Sequence, residues 1–322
     1  MSSEQKNNNE KKFLGMFKKK EPKGITKEDA EKEKNAPRNV AFFFKLLKRN
    51  FSKLLTLNFF MIFMVIPIVI AIYVYIQGPT TPSHLSTLSP TLFGAELISN
   101  SPAVSLMQNV FGSTIQLPVY GSFVYYIIAA LLVVLAIFWG WLNVGSTYVL
   151  RSMVRGEPIF MWSDFFYAIK RNLKQGFFMG LLDFIIMAVL AFDLVFFSGN
   201  SGNFSQDVMF FCTIGLAVIY CFMRFYIYIM LITFDLSISK LLKNALIFTA
   251  IGIKRNFMAA LGIIILAVIN LMLVILLMPI GIIVPVILPF VYFLPLSSFI
   301  ATYAAYPNIK KYMIDPQTPA QE

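Results

Sequence analysis

From Asn256 to Ile309 the chain reads NFMAALGIIILAVINLMLVILLMPIGIIVPVILPFVYFLPLSSFIATYAAYPNI, 54 residues without a charged side chain. As a single helix this stretch would be about 80 Å long, against a bilayer core of about 30 Å. It must therefore turn once. Met278-Pro279-Ile280-Gly281 is the natural place, since proline cannot donate to a helix ladder and glycine admits a turn. Two apolar segments joined in this way read as two membrane spans, at about 256–277 and 282–306. Four more lie upstream. Residues 54–76 and 122–150 are uncharged, 176–197 carries Asp183 and Asp193, and 208–234 carries only Arg224. The expected fold is all-α, a six-helix transmembrane bundle with short interfacial helices.

Composition agrees with this reading. Of 322 residues 58% are hydrophobic and 13% charged, where an ordinary soluble domain has roughly 25% charged. Mean hydropathy is +0.72. The formal charge of +11 is uneven, because residues 1–53 hold 15 Lys/Arg against 7 Asp/Glu. Such a balance elsewhere suggests nucleic acid. Here the cations flank apolar spans, so membrane topology accounts for them and no nucleic-acid partner is expected. The partner expected from composition is the lipid bilayer.

Orientation follows from the same cations. They lie before span 1, between spans 2 and 3 (Arg151, Arg155, Lys170, Arg171, Lys174), between spans 4 and 5 (Lys240, Lys243, Lys254, Arg255) and after span 6 (Lys310, Lys311). That places 26 of 27 basic residues on one side, and the last is Arg224 within a span. The positive-inside rule then puts both termini in the cytoplasm. Residues 1–38 are too polar to offset the entropy of ordering and read as a disordered basic tail. Residues 39–312 form the transmembrane domain, with an outer loop at 77–121, and 313–322 a short cytoplasmic tail.

The tripeptide Lys-Arg-Asn recurs at 48–50, 170–172 and 254–256, each time ahead of an outward-going span. One reading is three related helical hairpins, each introduced by an amphipathic interfacial helix. The other is convergence, since cytoplasmic flanks favour Lys and Arg. The stretch Tyr148-Val149-Leu150-Arg151-Ser152-Met153-Val154-Arg155-Gly156-Glu157-Pro158, continuing through Trp162-Ser163-Asp164-Phe165-Phe166 to Lys170-Arg171-Asn172, resembles the first cytoplasmic loop of the YesL-like family. Residues 235–245, ending in Leu242-Lys243-Asn244-Ala245, are similar to that family's second such loop. The resemblance spans about residues 40–312, with 77–121 matching poorly and the tail outside it. It implies a bacterial plasma-membrane protein associated with carbohydrate uptake. The partner it implies is another membrane protein or transporter subunit. It implies no catalytic or ligand residue.

Chemistry-bearing motifs are few. There is no Walker loop, HExxH or dinucleotide glycine pattern, so no cofactor is expected. The only histidine is His84, and Cys212 and Cys221 lie about 13 Å apart along a helix, which leaves no metal set and no disulfide. Gly199-Asn200-Ser201-Gly202 has the form of a rhomboid protease motif, but no span supplies a histidine base; it reads as a turn. The expectation is a non-enzyme, with no catalytic residue.

Two charges remain. Arg224 falls near mid-membrane and Asp183 about 10 Å deep, where charge is costly unless paired or hydrated. They form the candidate polar pair. It is read as a structural pair, as an arginine snorkelling to the headgroups, or as a transport site. Other features have plain readings. Gly176-x-x-x-Gly180 suits close helix packing. Trp139, Trp141 and Trp162 suit interfacial belts. Pro285, Pro289 and Pro295 bend span 6. The leading functional expectation is an accessory or regulatory component of solute uptake. A transporter using Arg224 and Asp183 is the alternative, and an intramembrane hydrolase a remote one.

Overall fold

The computed structural model describes residues 39–77, 122–199, 203–277 and 284–317. Eight α-helices occur among them: α1 (Val40–Gln77), α2 (Ser122–Arg155), α3 (Met161–Arg171), α4 (Leu173–Gly199), α5 (Phe204–Thr233), α6 (Ile238–Ile251), α7 (Ile253–Leu277) and α8 (Val284–Ile309). A short π-helical turn and a 3-10 turn follow α8, and no strand occurs among the described residues. Helices α1, α2, α4, α5, α7 and α8 are each long and apolar enough to cross a membrane. They coincide with the six expected spans, and the chain is an integral membrane protein. The tail 1–38, nearly all of the loop 77–121, the turn 278–283, His84 and the Asn200-Ser201-Gly202 turn lie outside the described residues.

The expected interfacial helices take two forms. Before α4 and α7 they are separate elements, α3 and α6, joined to their spans by one residue each, Asn172 and Gly252. Before span 1 there is no break: Lys48-Arg49-Asn50 lies inside α1. The three Lys-Arg-Asn asparagines share a local role. Asn50 donates to the carbonyl of Leu46, Asn172 to that of Ala168 and Asn256 to that of Thr249. Each ties the start of a span back to the preceding amphipathic segment, four residues back for Asn50 and Asn172 and seven back for Asn256.

Helix α3 shows why such an element sits flat on the bundle. Its apolar stripe buries Phe165 and Ala168. Phe165 stacks on Phe60 of α1 with ring centroids 4.0 Å apart and fills the space beside Gly145 of α2. The turn feeding it is set by Gly156 at φ 76°, where the Glu157 N–H reaches back to Ser152 O and closes the end of α2. A buried arginine, Arg151, donates from Nη1 to Ile232 O and Thr233 Oγ1 at the end of α5. It places a cation where that helix leaves its last carbonyls, which the helix dipole favours.

The bundle centres on α2 and α8, which both pack against α1 and α5, and α4 lies against α2 and α5. Helices α2 and α4 approach each other closely. A Cβ built on Gly180 would fall 2.0 Å from the Cα of Gly140, and one on Gly140 would fall 1.9 Å from the carbonyl oxygen of Gly176. The Gly176-x-x-x-Gly180 pair therefore meets a third glycine across the interface, and backbone touches backbone. Helix α7 is peripheral. It packs on α8 and turns a continuous apolar face outward, including Leu261, Ile264, Val268 and Ile275.

Candidate functional site

The α2–α4 contact is what builds the site. With the two backbones together at Gly140 and Gly180, Trp139 of α2 comes beside Asp183 of α4. The indole Nε1 donates to Asp183 Oδ2 at 2.8 Å. Helix α5 supplies the rest from one stripe. Tyr220, Arg224 and Tyr228 are spaced by four, so they project from one face. Tyr220 donates to Oδ1 at 2.8 Å and Tyr228 to Oδ2 at 2.7 Å. Arg224 Nε lies 3.0 Å from Oδ1. Asp183 is 0% exposed, so in place of water its carboxylate has three neutral donors and one cation. This is the arrangement a buried charge needs, since hydrogen bonds must satisfy the lone pairs that solvent no longer reaches.

The two residues singled out in the sequence are thus brought together, and three further residues were not anticipated. Trp139 is not a belt residue: its N–H is committed to the buried carboxylate. Trp141 donates to Leu173 O at the start of α4. Trp162 of α3 remains exposed on the bundle surface against Phe60 and Phe166. Tyr220 and Tyr228 carried one usable signal, their spacing of four on either side of a charged residue. Trp139 carried none that separates it from other tryptophans of a membrane chain.

The guanidinium of Arg224 is held asymmetrically. Its Nε–H does not point along the line to Asp183 and makes no hydrogen bond, so this contact is one of charge. The Trp139 ring lies 5.7 Å from the guanidinium carbon. Beyond Asp183 and that ring, the guanidinium has no partner among the described residues. A quarter of the arginine side chain is exposed, and it faces a partly open cavity of about 390 Å³ lined by α1, α2, α5 and α8, with Ile263 contributed by α7.

The walls differ. Helix α1 presents Met61, Met64, Val65 and Ile68, all apolar. Helix α2 presents Trp139, Asn143, Ser146 and Thr147, and α8 presents Leu294, Ser297, Ser298 and Thr302. Arg224 is the one charged lining residue. Asp183 does not reach the cavity; it sits behind the arginine. Cys221, one turn before Arg224 on α5, also lines it. Arg224 lies nine residues before the end of α5, which puts the cavity's polar group about 14 Å from that end of the helix.

No protein-family model matches the chain, and no curated protein or solved structure is significantly similar to it.

Proposed function

We propose that this chain is a non-enzymatic solute-binding membrane protein that takes part in solute uptake, with the cavity beside Arg224 as its binding site. The observation that supports this reading is the placement of Arg224. A purely structural ion pair has no need of a cavity, and burying both partners would strengthen the attraction. Here one partner is sealed and the other is left facing a space of a size that small ligands occupy. The site sits within the spans, where a solute crossing the bilayer must pass. One wall belongs to α8, which carries Pro289 and Pro295 within its helix. Proline weakens the backbone ladder, so this wall can bend, as can the α1 wall at Pro67.

On this reading the basic end of the bundle faces the cytoplasm of a bacterial cell. The resemblance to the YesL-like family favours a second form of the same proposal, in which the chain senses or assists a separate carbohydrate transporter. Uptake assays in proteoliposomes distinguish the two. Protein purified alone is expected to accumulate radiolabelled solute from a mixture of sugars and organic acids. Arg224→Gln is expected to lower that accumulation about tenfold or more, the scale on which losing a charge-assisted hydrogen bond weakens recognition. Accumulation only when co-purified membrane proteins are present would establish the accessory form. Absence of solute binding or uptake in both preparations would remove the proposal.

A further inference from the structure

The cavity walls restrict what can bind. On the reading of the cavity as a solute site, three features narrow the class. The first is charge. Among the described lining residues the only charged group is a cation, and its counter-charge is screened from the space by the arginine itself and held by Trp139, Tyr220 and Tyr228. A ligand cation would meet the guanidinium and no carboxylate. The neutral oxygens of Ser297 and Thr302 remain as acceptors, since both hydroxyl hydrogens are given to carbonyls of α8. Two neutral oxygens beside a guanidinium do not offset the cost of a cation inside the membrane.

The second feature is the shape of the donor group. The terminal nitrogens of a guanidinium form a planar fork that matches two oxygens of a carboxylate or phosphate. Arg224 makes no hydrogen bond to Asp183 through Nε, and among the described residues no hydrogen-bond partner takes up that fork. The third is the α1 wall. It offers no polar atom among Met61, Met64, Val65 and Ile68. Hydroxyls of a polyol packed there would lose water without replacement, which a hydrogen-bonding ligand does not tolerate. An apolar body loses nothing against that wall.

We infer that the cavity binds an oxyanion, a carboxylate or a phosphate ester, carried on an apolar body, with the oxyanion on Arg224 and the body against α1. This class differs from the carbohydrate that the resemblance implies. Such a group reaches the site either as a soluble acid or as the head of an anionic lipid, and the chemistry at Arg224 is the same.

Cys221 provides the reporter, because it lines the cavity one turn from Arg224. The full chain with Cys212→Ser has a single thiol, and it is reconstituted in nanodiscs of phosphatidylcholine alone. Alkylation of Cys221 by a small maleimide is timed with phenylbutyrate, phenyl phosphate, the neutral phenylbutyramide, mannitol or no addition. Phenylbutyrate or phenyl phosphate is expected to slow alkylation at concentrations about tenfold or more below any effect of phenylbutyramide. Mannitol is expected to have no effect. In Arg224→Gln the acid is expected to lose this advantage over the amide. A parallel set of nanodiscs containing phosphatidylglycerol identifies the source. Slow alkylation there without added acid, restored to the faster rate by Arg224→Gln, assigns the lipid headgroup.

Equal protection by the acid and the amide overturns the inference. The wild-type comparison stands by itself should Arg224→Gln fail to fold. Protection by mannitol but by no anion overturns the anion class while leaving the solute-binding reading intact. Protection by no compound in phosphatidylcholine, together with an unslowed rate in phosphatidylglycerol, overturns both.

Discussion

At Asp183 a carboxylate with no exposed surface accepts from Trp139, Tyr220 and Tyr228 and lies 3.0 Å from Arg224. Removing Arg224 alone leaves the carboxylate buried with neutral donors only. Removing Asp183 alone leaves three donors and a cation without their acceptor. Breaking a buried pair on one side costs about 3–5 kcal/mol in soluble proteins. Inside a membrane the loss is smaller where water and headgroups move in, since insertion scales place a central charge at about 2.5–3.5 kcal/mol. Arg224→Leu and Asp183→Leu are each expected to lower the yield of monodisperse protein in detergent. The double change is expected to recover part of the Arg224→Leu loss, because no lone charge remains. Recovery is only partial, since Trp139, Tyr220 and Tyr228 then lose an acceptor, and any of them that finds no water costs about 1–3 kcal/mol. Size-exclusion profiles of the four proteins check this. Wild-type profiles for both single variants would show that the pair contributes nothing to folding.

At the scale of helices, the three glycines of the α2–α4 crossing set how near Trp139 comes to Asp183. A side chain at Gly180 has no room, with Gly140 Cα 2.0 Å from the ideal Cβ. Backbone cannot yield as a flexible side chain can, so Gly180→Val must separate the helices. The expected cost is about 1–3 kcal/mol, the range for overpacking, and the Trp139–Asp183 hydrogen bond is lost with it. Gly215 of α5 is the control, because nothing lies within 4 Å of its ideal Cβ. Thermal unfolding in detergent is expected to show Gly180→Val well below wild type and Gly215→Val close to it. Equal melting temperatures for the two would mean the crossing is not tight. The close-packing motif was legible on α4, but its partner was not, since a lone glycine at 140 has no pattern around it. The same limit explains the site. Arg224 and Asp183 stand out in any membrane sequence because charge is rare there. Trp139, Tyr220 and Tyr228 do not, because aromatic residues are ordinary there. The six spans were readable for the opposite reason, because uncharged runs of about 20 residues have few other physical explanations.

For the whole molecule, the distribution of charge gives a testable orientation. Within the described residues the basic side chains outside the site occur at one end of each span. They include Lys45, Lys48 and Arg49 in the first turns of α1, Arg151 and Arg155 at the end of α2, and Lys254 and Arg255 at the start of α7. Moving these groups across a bilayer is what the positive-inside bias opposes, and it is counted over short segments near the spans. The long apolar helices leave no alternative route, since every crossing of the chain reverses its direction and all these flanks share one side. The proposed orientation therefore holds or fails as a unit. Single cysteines in a Cys212→Ser, Cys221→Ser background test it on intact cells with a membrane-impermeant maleimide. Thr81→Cys and Ser201→Cys are expected to label. Ser163→Cys, on α3, and Ser239→Cys, on α6, are expected to label only after the membrane is permeabilised. The reverse pattern would invert the molecule and place the basic end outside. Deleting residues 1–36 adds a further step to the argument. It removes ten Lys and Arg but leaves Arg38, Lys45, Lys48, Arg49 and Lys53 ahead of the first span. If charge beside the spans is what fixes topology, the truncated chain must give the same four labelling results. A changed pattern would assign the N-terminal tail a role in insertion that flanking charge does not supply.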